Sequence, residues 1–99
     1  MSSPPRLTGI ESLILELLID KPDQYGLELV AGSHRRLKRG TVYVTLGRME
    51  EKGLVESAPE PPPEGAGPSR RIYRPTALGI RVFQAWQLMR QMFSPETAR

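Results

Sequence analysis

Residues 37–57 read LKRGTVYVTLGRMEEKGLVES. The apolar residues recur with a helical rhythm, a glycine sits in the middle, four cations lead in or lie just upstream, and the stretch ends in strand-forming residues. Projected at about 100° per residue, Val42, Leu46 and Met49 fall on one narrow stripe, the pattern of a helix face that meets a core. Val44, Gly47, Arg48 and Glu51 fall opposite, with Tyr43, Thr45 and Lys52 on the flanks. A solvated face ordinarily carries long charged residues that favour helix. Gly47 in mid-helix costs about 1 kcal/mol relative to alanine, and an exposed Val44 gains nothing from water. Both choices suit a face that a large flat partner approaches closely, either a nucleic-acid groove or another protein's helix.

The cations favour the groove. Arg35, Arg36, Lys38 and Arg39 lie within five positions, and Arg70, Arg71 and Arg74 within another five. Taken alone, each cluster reads as a solvated loop; two clusters flanking one bare helix face read as phosphate contacts, which supply affinity and salt dependence with little sequence choice. Base reading would fall to the helix: Val44 against a thymine methyl, Thr45 at base edges, Arg48 bidentate to guanine. The net charge of +3 matters less than this placement.

Working outward, Leu7, Ile10, Leu13, Ile14, Leu17 and Leu18 predict a first helix, with Thr8 and Glu11 as its capping box. Leu15 and Ile19 lie off that stripe, so a second covering surface is expected, read as a partner subunit. Asp23 is positioned to cap a second helix over 24–31, and Gly53 to end the third. Leu54–Ser57 and Arg71–Arg74 predict two short strands. Between them runs APEPPPEGAGPS, residues 58–69, in which five of twelve residues are proline, so this segment is expected to join the strands without extending their ladder. Thr76 caps a last helix from 77 to 93, with Leu78, Val82, Ala85, Trp86, Leu88, Met89, Met92 and Phe93 on one half and Ile80 and Phe83 on the other. That is more apolar surface than one small domain covers.

The predicted fold class is mainly α with a small β-hairpin: a winged helix-turn-helix in the order α-α-α-β-wing-β-α, whose last helix serves dimerisation. Its third helix would enter the major groove while the hairpin touches adjacent backbone. The expected divisions are a disordered lead over 1–6, the winged domain over 7–75, the dimerisation helix over 76–93 and a flexible tail over 94–99.

Ninety-nine residues suffice for one modest core. The chain has no cysteine, which excludes a disulfide framework and fits a reducing cytoplasm. MSSPPRLTG lacks the charged head and apolar run of a secretory leader, and no apolar stretch is long enough to span a bilayer. Catalysis is not expected: His34 is the single histidine, and no phosphate loop, metal-ligand cluster or nucleophile constellation occurs. No cofactor or metal is expected. The competing binding reading is a winged helix used for protein–protein contact without specific DNA recognition.

The motifs YGLEL (25–29), GTVYVTLGRMEEKGLVES (40–57) and RRIYRPTALG (70–79) together resemble the PadR family of transcriptional regulators, over roughly 7–93. The resemblance implies a homodimeric, usually repressing, double-stranded-DNA-binding protein in which the first and last helices meet the partner subunit. On that pattern Arg35, Arg36, Lys38, Arg39, Thr41, Tyr43, Val44, Thr45, Arg48, Arg70 and Arg71 are the candidate DNA contacts, and Leu15, Ile19, Val82, Trp86, Met89, Met92 and Phe93 the candidate dimer interface. Some compact members stack a planar aromatic small molecule on a tryptophan of the last helix; Trp86 matches that position, either as such a site or as interface core. Two departures stand out. Lys38 occupies a place where the family often has a capping serine or asparagine, so either Thr41 caps a later start or the helix opens uncapped. Pro75 replaces a common leucine. With Glu60 and Glu64 toward the wing tip, DNA contact is expected from the wing base.

Overall fold

Thr8 opens the first helix, α1 (Gly9–Asp20), through a reciprocal cap: its hydroxyl accepts from the Glu11 amide at 3.1 Å and its own amide donates to Glu11 Oε1 at 3.0 Å. The computed structural model describes residues 6–60 and 70–93. The expected lead apart from Arg6, the tip of the wing and the 94–99 tail lie outside the described residues. After α1 come β1 (Gln24–Tyr25), α2 (Gly26–Gly32), α3 (Arg39–Glu51), β2 (Val55–Glu60), β3 (Arg70–Pro75) and α4 (Ala77–Phe93). This is the expected α+β arrangement of four helices and a small antiparallel sheet, with one strand more than predicted.

The extra strand corrects the reading of residues 23–25. Asp23 adopts φ 64° and its carboxylate pairs with Arg74 at 2.8 Å instead of capping a helix. Gln24 and Tyr25 pair with Tyr73 and Ile72 of β3, and α2 begins only at Gly26. Gln24 is buried because its amide Nε2 closes the end of α1, donating to the carbonyls of Leu17 and Lys21. The sheet order is β1-β3-β2. Its ladder also runs further than expected: Ala58, Pro59 and Glu60 pair with Ile72, Arg71 and Arg70. Pro59 is tolerated because β2 is an edge strand, where a missing N–H can face away from the ladder.

α1 is the hub of the core. Leu13, Ile14, Leu15 and Leu18 are buried together with Leu29, Leu37, Val42, Leu46, Met49, Leu54, Val55, Tyr73, Val82 and Phe83. Leu15 and Val82, expected at a subunit interface, are therefore inside the protomer. The reason is the close approach of α4: a Cβ on Gly79 would lie 3.2 Å from the Leu15 side chain and would run into the Leu54 carbonyl. For Leu15 the second covering surface anticipated for α1 is thus supplied by the chain itself. Of the expected interface set, Ile19, Met89, Met92 and Phe93 keep apolar surface exposed, while Trp86 is half-buried against the core.

The junction at Leu54 fixes where each element ends. Gly53, at φ 77°, terminates α3 with paired bonds from the Gly53 amide to the Glu50 carbonyl and from the Leu54 amide to the Met49 carbonyl, the arrangement that a left-handed residue after a helix permits. The Leu54 carbonyl then accepts from the Thr76 amide at 3.1 Å. The Thr76 hydroxyl in turn accepts from the Gly79 amide at 2.9 Å, capping α4 as expected, and donates to the Gly53 carbonyl.

An ion pair with a buried carboxylate and an exposed ammonium ties the start of α1 to the end of α3. Glu11 is 2% exposed and accepts from Lys52 Nζ at 2.7 Å. Desolvation pushes its pKa up, but the Lys52 and Thr8 hydrogen bonds and the Lys52 charge outweigh it and hold the carboxyl below its ordinary value. A carboxyl with a depressed native pKa stabilises the fold above its unfolded pKa and loses that contribution as pH falls through the native one. Urea unfolding at a series of pH values from 7 to 3 should show stability falling with acidification in the wild type, and a flatter acid limb in Glu11→Gln from a lower starting stability. Gly79→Ala should cost about 3 kcal/mol or more, since backbone lies in the way of the added methyl; a thermal midpoint near wild type would contradict the close α4 approach.

Candidate nucleic-acid interface

The turn between α2 and α3 positions α3. Ser33 is buried, and its hydroxyl donates to the Val30 carbonyl at 2.8 Å while accepting from the Leu37 amide at 2.9 Å. Leu37 plugs into the core. Between these anchors His34 and Arg35 both adopt left-handed backbone, at φ 53° and 70°, a conformation costing non-glycine residues of order 1–3 kcal/mol each. The compression places Arg35, Arg36, Lys38 and Arg39 outward at the start of α3. That helix opens at Arg39 with Lys38 as its N-cap and no side-chain cap, which decides between the two starts left open by the sequence.

α3 has two distinct faces. Val42, Leu46 and Met49 are fully buried, whereas Val44 is 55% exposed and Gly40, Gly47, Arg48 and Glu51 are exposed beside it. A Cβ on Gly47 would meet nothing within 4 Å, so no contact inside the protomer requires glycine there. Thr45 does not reach this face. It is 8% exposed, because its position about 100° from Val44 turns it toward α1, where it lines a recess of about 470 Å³ with Arg36, Thr41, Arg48 and the start of α1. Thr41 is half-buried in the same recess.

On the other flank Tyr43 is 48% exposed, its ring seated over Gly26, where any Cβ would lie 2.6 Å from Cε1. Glycine at 26 is thus a requirement of Tyr43's position, not of the turn. Arg70 and Arg71 stand exposed at the wing base. The Arg70 guanidinium lies 4.7 Å from the Tyr25 ring centroid, and Tyr25 donates its hydroxyl proton to Glu60 Oε1 at 3.1 Å. Desolvation, then the Glu60 hydrogen bond and charge, push the Tyr25 pKa up. Arg71 Nε donates to Ser57 Oγ, and Ser57 donates to Glu50 Oε2 at 2.7 Å, so the wing base is linked to the last turn of α3. Arg74, grouped with these cations by sequence, is instead engaged by Asp23.

Sequence reasoning places Ser33 at the end of α2, as the structure does, but missed its hydroxyl bridge to Leu37, the Tyr43–Gly26 seat and the Tyr25–Glu60–Arg70 group. The Tyr-Gly pair at 25–26 was the available signal for the second, but its partner lies 17 residues on and only the fold brings the two together.

A model of the transcriptional regulator PadR-like family matches residues 14–85. The chain belongs to that family. Among solved structures, a PadR family regulator from hypervirulent Clostridium difficile R20291 is 28% identical with a TM-score of 0.69, covering 85% of this chain and 90% of its own. A PadR family regulator from Eggerthella lenta DSM 2243 is 25% identical with a TM-score of 0.73, covering 90% and 78%. The PcaV transcriptional regulator from Streptomyces coelicolor, solved in complex with its natural ligand, shares the fold at 20% identity with a TM-score of 0.68; the match covers 90% of this chain but only 62% of that protein. No curated protein sequence matches the chain. Among the described residues no helix is long and apolar enough to cross a membrane.

If α3 of this PadR-like chain faces DNA, Gly47 should affect stability and recognition in opposite directions. Gly47→Ala should stabilise the protein by about 0.5–1 kcal/mol, because alanine favours helix and the site is open, while weakening DNA binding measured by fluorescence anisotropy. Unchanged DNA affinity in the stabilised variant would mean that nothing approaches this face closely.

Proposed function

We propose that this chain is a sequence-specific DNA-binding regulator acting as a homodimer, in keeping with its family a repressor, with α3 in the major groove and the wing base on adjacent backbone. The observation that carries the reading is the outward face of α3: Val44, Gly47 and Arg48 are exposed while Val42, Leu46 and Met49 are buried. A smooth, small-residue surface with one guanidinium fits base edges, Arg48 suiting a guanine and Val44 a thymine methyl. Arg35, Arg36, Lys38 and Arg39 before α3, and Arg70 and Arg71 beyond it, would take phosphates. Thr41 and Tyr43, on opposite flanks, would border the groove walls; Thr45 drops out of the contact set because it is buried.

The dimer reading rests on α4. Its first turns pack on the protomer, but Leu88, Met89, Met92 and Phe93 leave apolar surface in water, Phe93 being 79% exposed. A second α4, together with Ile19 of α1, would cover it. Trp86 sits at the base of this surface and either joins that interface or stacks a planar aromatic ligand. The proposed working place is the cytoplasm, where the DNA is.

Selection of bound DNA from a random pool should return a palindrome whose half-site spacing equals the distance between two reading helices. Arg48→Ala should relax preference at one base pair per half-site by about 1–3 kcal/mol; an unaltered preference would require a different docking. Non-specific affinity should fall by roughly 10-fold or more between 50 and 200 mM salt, whereas a protein–protein module would show weak or salt-insensitive DNA binding. Met89→Lys should sediment as a monomer and bind operator weakly, and a stable dimer would move the interface away from α4.

A further inference from the structure

Thr45 is 8% exposed, yet among the described residues nothing hydrogen-bonds its hydroxyl. A threonine buried in a helix ordinarily bonds back to a carbonyl of the preceding turn, and Ser33, also buried, makes hydrogen bonds to both Val30 and Leu37. Leaving a buried hydroxyl unmatched costs stability. Among the described residues no fully enclosed side-chain oxygen or nitrogen lacks a partner, so the Thr45 oxygen keeps an opening. The opening that Thr45 lines is the recess of about 470 Å³ between α1 and α3.

Three kinds of donor converge on that recess. Thr41 and Thr45 bring hydroxyls, Arg36 and Arg48 bring guanidinium groups, and the first turn of α1 lines the facing wall. The Thr8 hydroxyl is committed to the Glu11 amide, but the amides of Gly9 and Ile10 precede the first intrahelical bond and are left for an outside acceptor. The charges favour an anion. Glu11, the one carboxylate in this lining among the described residues, is ionised, and Lys52 at 2.7 Å cancels its charge. Neither Arg36 nor Arg48 has an ion-pair partner among the described residues, so both guanidinium charges remain. Leu13 and Ile10 supply hydrocarbon to the same lining, which weakens the screening of those charges by water.

We propose that this recess is a phosphate site, in which the tetrahedral oxyanion is held by Arg36 and Arg48, by the Thr45 hydroxyl and by the first amides of α1. Thr45 lies too deep for a base edge, but a phosphate oxygen that enters the recess meets it. Charge-assisted bonds from two guanidinium groups set the affinity, while the hydroxyl and the amides select a compact oxyanion over a simple halide. The phosphate is the free ion or a backbone phosphodiester of bound DNA, since both present the same oxygens. The site stands without the DNA reading; only the second source rests on that reading, and it would add the start of α1 to the backbone contacts.

The test begins with the full chain without DNA, titrated with sodium phosphate and, at matched ionic strength, with sodium chloride, while amide chemical shifts are followed. Phosphate should give saturable shifts centred on Gly9, Ile10 and Thr45, half complete below about 10 mM, and chloride should not. This map needs no variant. Thr45→Val keeps the shape and removes the hydroxyl, so it should weaken phosphate about 10-fold with a thermal midpoint at or above wild type, because an unmatched polar group is gone. Thr45→Ser should retain binding, and Arg36→Gln should weaken it about 10-fold. A random-sequence duplex at low salt then assigns the source. Weaker duplex binding by Thr45→Val points to the phosphodiester, and an effect on free phosphate alone points to the ion. The proposal is overturned by phosphate shifts centred away from the recess, or by Thr45→Val treating both free phosphate and duplex as the wild type does. Absence of duplex binding beside intact phosphate binding would sink the DNA reading and leave this site standing.

Discussion

The peptide at Gly53–Leu54 holds the molecule together. Its amides close α3 on the Glu50 and Met49 carbonyls, and the Gly53 and Leu54 carbonyls accept from the hydroxyl and amide of Thr76, the residue that follows β3 and caps α4. Leu54 itself is fully buried, and only a glycine at 79 lets α4 lie against its carbonyl. Because so many elements share one point, the direction of α3 is set relative to both the wing and α4. The outward face of α3 and the candidate dimer helix are therefore parts of one frame, joined through the Leu54 carbonyl, the Thr76 hydroxyl and the bare Cα of Gly79.

A second constraint acts at the other end of α3. The turn from α2 is short enough to force two successive left-handed residues, and Ser33 and Leu37 hold it with buried hydrogen bonds and packing. The Glu11–Lys52 pair then braces the two helices that this geometry crosses. With both ends and one side fixed, α3 can afford a face that contributes almost nothing to folding. Val44 and Arg48 stand exposed on it, and among the described residues nothing lies near enough to require glycine at 47.

The sequence was most legible where a single local rule decides. Capping at Thr8 and Thr76, the stop at Gly53 and the inward stripe of α3 each depend on residues a few positions apart. What stayed hidden depends on distant partners. Leu15 reads as surplus apolar surface because nothing local reveals that α4 folds over it. Gln24 and Tyr25 look helical beside YGLEL, and become a strand only because β3 offers an edge. Thr45 sits one step around the helix from Val44, a difference that a wheel places on a flank but that burial by α1 turns into exclusion. Proline density suggested that the ladder would stop before 58, yet the edge position of β2 tolerates Pro59.

That same proline has a bearing on the protein's solubility. An outer strand offers a row of amides and carbonyls to any passing strand, and long, flat borders of this kind seed aggregation. Pro59 breaks the row of donors along the outer margin of the hairpin, and charged Glu56 and Glu60 stand on the same strand. The outer strand of the hairpin is thereby guarded against pairing edge to edge with a second copy of itself.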